Sequence, residues 1–298
     1  MFDPKTVFLG ITPTGWTNDD FPGLGEDITF EQCISEMALA GYQGCSVGHK
    51  YPRDPKILRA ALDLRGLRVS EPWASTFFLA ADMEERTLAD FKEQLAFIKT
   101  MGGTDIVVAE QTGAVHQRPV SLLPNRPVMT GAQWKTLTAG LNRIGKIATD
   151  AGMTLCYHHH LGTVVQSRAD VDRLMAETDP SLVFLLLDTG HLYCAGDDPL
   201  AMARAHAARI RHVHLKDIRA AVWTDVQKQH GSFYDGVMAG FFTVPGDGAI
   251  DFRPILQVLA DNGYTGWLMV EAEQDARKAH PLTYAKKARA YLRAIIGW

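Results

Sequence analysis

The sequence lacks a long apolar run, a basic block and paired cysteines, and each absence removes a class of protein. The first apolar stretch follows Asp3 and Lys5 and breaks at Thr12 and Pro13, so neither a signal peptide nor a membrane span is expected. A cytoplasmic location follows as the expectation. With 30 Lys and Arg against 34 Asp and Glu the net charge is −4, and neither half carries a basic run. No electrostatic footprint for nucleic acid or an anionic membrane is therefore present, and a small neutral or polar partner fits better. The 4 cysteines (Cys33, Cys45, Cys156 and Cys194) form no C-x-x-C pair and sit in or beside apolar segments, as buried thiols of an intracellular chain do. No G-x-G-x-x-G follows the first apolar run, where GITPTG stands at 10–15, so a dinucleotide site loses its main support.

What is present is enough for a full core: 298 residues, 46% of them hydrophobic and 21% charged. Eight short apolar runs recur along the chain: VFLGI (7–11), GCSV (44–47), LRVSE (67–71), DIVVAE (105–110), TLCYH (154–158), LVFLLLD (182–188), IRHVHL (210–215) and WLMVE (267–271). They read as strands buried on both faces. Amphipathic stretches alternate with them at 30–42, 54–66, 87–103, 131–152, 169–178, 198–210, 251–263 and 283–295, many closed by the glycine expected just past a helix end: Gly41, Gly66, Gly102, Gly152 and Gly263. Eightfold strand–helix alternation with right-handed crossovers predicts an α/β fold, a single-domain (β/α)8 TIM barrel over 1–298. The longest connection, 216–250 after the seventh strand, holds the turn-rich VPGDG (244–248) and reads as a lid or substrate wall.

Of 11 histidines, six fall at or just after the fifth to seventh runs: His158, His159, His160, His191, His212 and His214. Glu110, Asp188, Asp217, Glu271 and Glu273 stand at comparable positions. Barrel strands end around one mouth, so these groups converge although they are far apart in the chain. Period-two alternation puts His158 with His160, His212 with His214 and Lys216, and Glu271 with Glu273. One Asp, one or two His and one Glu from separate strands form a donor set for Mn²⁺, Co²⁺ or Zn²⁺ with positions left open for substrate. Singly, a tandem histidine or His212 reads as a satisfied structural residue, and Lys216 beside Asp217 as an ion pair. Asp188 after an apolar run is harder to explain that way, because an unpaired buried carboxylate is costly.

YHHHLGT (157–163), LLLDTGHLYCAG (186–196), HVHLKD (212–217), FFTVPGDGAIDF (241–252) and GWLMVEAEQD (266–275) form a specific combination. On these motifs the chain resembles the xylose-isomerase-like barrel superfamily, and within it the dehydratases that remove water from 2-keto-myo-inositol, a cyclic polyol ketone of inositol catabolism. The resemblance implies a hydro-lyase that uses a divalent metal, Mn²⁺ or Co²⁺, and proceeds through an enediolate. The superfamily's ligands are a Glu, an Asp, a His and a Glu ending strands five to eight. Asp188, His214 and Glu271 match the last three. At the first position His158 stands where Glu is expected, with His160 and Glu110 as alternatives. His191, in the superfamily's DTxH position, is expected at substrate hydroxyls, and His160, His191, Lys216 and Glu110 are the acid–base candidates. GCSVGHK (44–50) departs from the dehydratase pattern, which favours an acidic residue followed by Asn. A keto-sugar isomerase or epimerase would share the metal and return the proton instead of expelling water. A non-catalytic polyol-binding module and a barrel endonuclease are the remaining readings, the latter disfavoured by charge. Homo-oligomerisation and use of a thiol cofactor stay open.

Overall fold

The computed structural model describes residues 1–298. Its strands are β1 (Val7–Ile11), β2 (Gly44–Cys45), β3 (Arg68–Val69), β4 (Trp73–Thr76), β5 (Asp105–Glu110), β6 (Thr154–His158), β7 (Val183–Asp188) and β8 (Ile210–Leu215). Three more follow: β9 (Asp217–Ile218), β10 (Phe242–Thr243) and β11 (Gly266–Val270). Nine of them pair in the order β3, β2, β1, β11, β8, β7, β6, β5, β4, and every pairing is parallel.

The two ends of that order are consecutive in the chain. Only Ser70, Glu71 and Pro72 separate β3 from β4, so the third barrel strand is one strand broken in the middle and the sheet closes into an eight-position barrel. Pro72 supplies no N–H for a ladder, which accounts for the break. On either side the pairing continues, Ser70 N donating to Cys45 O and Val107 N to Pro72 O. The run expected at 67–71 is thus only half of its strand.

The expected helices form, the longest being Gly131–Asp150, Glu84–Met101 and Pro281–Ile296. Thr130 opens the first with a reciprocal capping box to Gln133. Gly41, Gly66, Gly102, Gly152 and Gly263 all take positive φ. One apolar core of 76 buried residues lies between strands and helices. Inside the barrel the apolar filling includes Val107, Cys156 and Leu186, with Phe184 against them, and Trp267 and Met269 of β11, which share the parity of Glu271.

This interior cluster sets the parity that builds the site. Cys156 and Leu186 point inward, so His158 and Asp188, two residues further along the same strands, also point inward. Asp188 stands directly opposite His214 in the β7–β8 register, after an irregularity between Leu185 and Leu186 that passes over Arg211. Such a bulge re-aims side chains near the end of a strand.

Residues 216–250 form a folded excursion from the barrel, and none of them is among the residues that line the cavity at its mouth. β9 and β10 pair antiparallel, and two helices, Ala220–Lys228 and Phe233–Ala239, complete it. The Asp217 carboxylate ties it down by accepting from the backbone N–H of Ile218 (2.8 Å), Gly248 (2.9 Å), Ile250 (3.0 Å) and Gly246 (3.2 Å). A Cβ at Gly248 would collide with that carboxylate, which explains the glycine in VPGDG. No helix is long and apolar enough to cross a membrane.

Candidate active site

At the C-terminal mouth of the barrel a cavity of about 170 Å³ opens, and only 3 of its 21 lining residues are hydrophobic. A lining so rich in donors and acceptors suits a ligand covered in hydroxyl groups. Its floor is formed by His158, His214 and Glu271, with Asp188 fully buried among them.

One ligand atom from each of His158, Asp188, His214 and Glu271 lies within 4.8 Å of all the others. These are the strand-end residues that the sequence singled out, His158 standing in the group in place of His160 or Glu110. They converge more than they pair. His214 Nδ1 and Glu271 Oε2 are 2.5 Å apart yet out of line for a hydrogen bond, and both are buried without a hydrogen-bond partner, as is His158 Nδ1. Orphaned buried polar atoms cost about 1–3 kcal/mol each. A divalent cation removes that cost, and a set of two imidazoles and two carboxylates fits one. The Asp188 carboxylate divides its work: Oδ1 caps the helix Thr189–Cys194 by accepting from His191 N (2.9 Å), while Oδ2 faces His158 Nε2 (3.3 Å).

Electrostatics separate the imidazoles. Burial, reinforced by the neighbouring His214, holds His158 well below the usual histidine range. Burial also opposes charge on His214, but Glu271 and Glu71 outweigh it and push His214 up to about 10. A line of groups descends from His214 down the barrel axis: Glu71 Oε1 lies 3.5 Å from His214 Nε2, Glu71 Oε2 lies 3.4 Å from His212 Nε2, and His212 Nδ1 contacts Asp105 Oδ2 at 3.2 Å. His212 therefore supports the floor from below.

The expected acid–base residues separate into three places. His160 lines the cavity, its Nδ1 donating to Leu161 O at 2.8 Å, which leaves the Nε2 lone pair free. Burial, then His116, hold His160 well below the usual histidine range, so it is neutral. His191 and Lys216 lie beneath the cavity and do not line it, both fully buried, with Lys216 Nζ donating to His191 Nε2 at 2.8 Å. Glu110 is not brought into the group. Its carboxylate accepts from Thr76 Oγ1 (2.9 Å), Phe78 N (3.0 Å) and Thr112 N (3.2 Å), which fixes the loop after β4. A carboxylate so occupied has no lone pair aimed at substrate, and the expectation of an acid–base or ligand role for Glu110 is corrected.

Glu71, Asp20 and His116 also line the cavity, though the sequence did not mark them, and Glu273, marked among the strand-end carboxylates but given no role, lines it too. Glu71 ends an apolar run, which was its only signal. Asp20 and His116 come from loops without periodicity, with His116 Nε2 3.6 Å from Asp20 Oδ1. Glu273 lines the cavity between Lys216 Nζ (2.9 Å) and Asn18 Nδ2 (3.3 Å), and burial, partly offset by Lys216, pushes it up to about 7.

A closed parallel barrel with imidazoles and carboxylates gathered at the ends of its later strands is a barrel of the xylose-isomerase-like type. Residues 50–295 match the xylose isomerase-like TIM barrel family. Inosose dehydratase of Geobacillus thermodenitrificans is 52% identical over 298 residues, 100% of each chain. Those of Lacticaseibacillus casei (50% over 292 residues) and Clostridium tetani (48% over 293 residues) cover 98% of both chains. The chain belongs to the inosose dehydratase family, whose members are hydro-lyases. Among solved structures, the fold matches a sugar phosphate isomerase/epimerase from Parabacteroides distasonis (TM-score 0.69, 17% identity, 98% of this chain and 94% of that one). It also matches the IOLI protein with a zinc atom (TM-score 0.72, 16% identity, 98% and 100%).

Proposed function

We propose that this chain dehydrates 2-keto-myo-inositol to a trihydroxycyclohexane-dione in inositol catabolism, with a divalent ion held by His158, Asp188, His214 and Glu271. The observation that carries the reading is the convergence of those four residues on the floor of a polar cavity in a chain so close to inosose dehydratases over its full length. Mn²⁺ or Co²⁺ is the preferred ion, since the mixed nitrogen and oxygen donor set suits either. When bound, the ion supplies Lewis acidity that makes the C–H beside the ketone easier to break.

The protein's own groups do the rest. His160, neutral and with Nε2 open to the cavity, takes the proton from the carbon next to the ketone. Glu273, raised by burial to about 7, delivers a proton to the departing β-hydroxyl, which leaves as water. Lys216 and Asn18 fix Glu273 from either side, and Lys216 acts through Glu273 and His191 without touching substrate. The excursion 216–250 packs against the imidazoles from the protein side: the Phe233 ring lies 5.7 Å from His160, and Phe242 lies 5.2 Å from His191, which shields both histidines from bulk water there. Four buried free thiols suit a reducing compartment, so we place the protein in the cytoplasm.

The test is incubation of metal-loaded protein with 2-keto-myo-inositol, followed by product mass and near-ultraviolet absorbance. Loss of one water with growth of a conjugated chromophore is expected. Conversion with no water lost would move the reading to an isomerase or epimerase, and no conversion to a polyol-binding module.

The donor set has a second consequence. His214 is held protonated up to about 10 when only carboxylates face it, and a metal ligand must be deprotonated. Binding of Mn²⁺ at pH 8 is therefore expected to release about one proton per ion, and affinity to rise with pH through the neutral range. Titration calorimetry in buffers of different ionisation enthalpy measures this directly. A binding heat that does not depend on the buffer would remove His214 from the ligand set.

A further inference from the structure

Lys216 is the only buried lysine in the chain, and its surroundings are built for it. Its stem runs past Gly190, where a Cβ would come within 2.6 Å of Lys216 Cγ, and Phe242 covers the ammonium at 4.4 Å from the ring centre. The ammonium sits among four acceptors: His191 Nε2 at 2.8 Å, Glu273 Oε1 at 2.9 Å, Glu271 Oε1 at 3.5 Å and Asp188 Oδ2 at 3.7 Å. Asp188 and Glu271 belong to the donor set already described. His191 and Glu273, with His160, form a second set whose ligand atoms lie within 4.8 Å of one another. The ammonium thus stands between the two donor sets, against the carboxylates of Asp188 and Glu271 in one and against His191 and Glu273 in the other, where a two-metal site would hold a second ion about 3.5–4 Å from the first.

We propose that the Lys216 ammonium occupies the second cation position of a site laid out for two, and thereby fixes the centre at one divalent ion per chain. The inference rests on the metal reading of His158, Asp188, His214 and Glu271. Charge favours it. Three carboxyl groups, those of Asp188, Glu271 and Glu273, face one divalent ion and one ammonium, so the centre is neutral with Glu273 ionised and carries one positive charge when Glu273 holds its proton; in neither state is a further cation called for. Without the ammonium the same carboxylates hold an uncompensated buried negative charge, which is costly in a low-dielectric interior. Asp188 Oδ2 and Glu271 Oε1 face the ammonium, as His191 Nε2 and Glu273 Oε1 do, and these four would hold a second divalent ion if the ammonium were absent. The ammonium is fully buried with its protons directed at His191 and Glu273, so it offers substrate no open position of the kind a second metal would.

The test counts ions. Wild type, Lys216→Ala and Lys216→Met are stripped with chelator and titrated with Mn²⁺, and bound metal is counted after desalting. Electron paramagnetic resonance then reports whether two spins are adjacent. One ion is expected in the wild type, and two, magnetically coupled, in Lys216→Ala. Lys216→Met keeps the packed stem without the charge and is expected to take the same second ion more weakly. Adding Glu273→Gln to Lys216→Ala is expected to return the count to one. Variants too unstable without metal are refolded in Mn²⁺ and counted in the same way. One ion in every folded lysine variant overturns the proposal, as do two in the wild type. No ion in the wild type defeats the metal reading itself, a different outcome.

Discussion

Asp188→Ala is expected to abolish tight binding of a divalent ion and to lower turnover by roughly 10³-fold or more, since Lewis-acid stabilisation is worth several kcal/mol and each 1.4 kcal/mol is tenfold. Asp188 is the residue of the four on which the others depend. Its Oδ2 lies 3.3 Å from His158 Nε2, 3.8 Å from His214 Nδ1 and 3.7 Å from Lys216 Nζ, so its loss leaves three nitrogens facing one another without a common carboxylate. The same change removes the cap on the helix Thr189–Cys194, and some loss of stability is expected from that alone, about 1 kcal/mol. Asp188→Asn separates the two effects. It retains a capping oxygen but not the charge, so it is expected to restore much of the stability and little of the metal binding. Full metal occupancy in Asp188→Ala with native circular dichroism would exclude Asp188 as a ligand.

The barrel was legible because its strands carry a period and its helices carry stops. Runs at 7–11, 105–110, 154–158 and 210–215 coincide with strands to the residue, each being rich in apolar or β-branched residues between helical patterns. The third strand was not, because the chain breaks it at Pro72 and the second half, WAST, is too polar and too short to register as a run. Parity along β6, β7 and β8 carried His158, Asp188 and His214 to one point, and that inference needs only the alternation of side chains.

Strand parity alone could not tell a group facing the cavity from one a layer behind it. Lys216 and Glu273 follow the same alternation as His214 and Glu271, yet Lys216 is fully buried beneath the cavity and Glu273 lines it. That difference depends on the path of the chain beyond the strand, which the folded segment 216–250 and the DTGH turn decide together. Glu110 shows the same limit. It ends β5 as Asp188 ends β7, but the loop after β4 turns its backbone donors toward Glu110 and takes its carboxylate away. No composition or spacing announces such a turn. Asp20 and His116 reach the cavity from loops, where sequence carries no period at all.

His160→Asn is expected to lower turnover by about 10²–10⁴-fold, the usual worth of a positioned general base, while metal affinity and unfolding temperature stay close to wild type. The asparagine amide can take over the donation that His160 Nδ1 makes to Leu161 O, so the local fold is kept and only the basic nitrogen is lost. The pH dependence carries the sign. Burial first, then His116, depress His160, so the neutral form that acts as base persists well below pH 6.5. Burial depresses His158 and His191 likewise. Protonation of these three imidazoles therefore does not set the acid limit of activity; the limit belongs to protons competing with metal for His214, which its carboxylate neighbours raise to about 10. Excess Mn²⁺ is accordingly expected to move the acid limb of the wild-type profile to lower pH. Exchange of the substrate's α-hydrogen with deuterium from solvent isolates the base, because it needs proton removal and not the loss of water. Wild type is expected to exchange and His160→Asn to lose exchange in step with turnover. A variant that exchanges deuterium at the wild-type rate would take the base role away from His160.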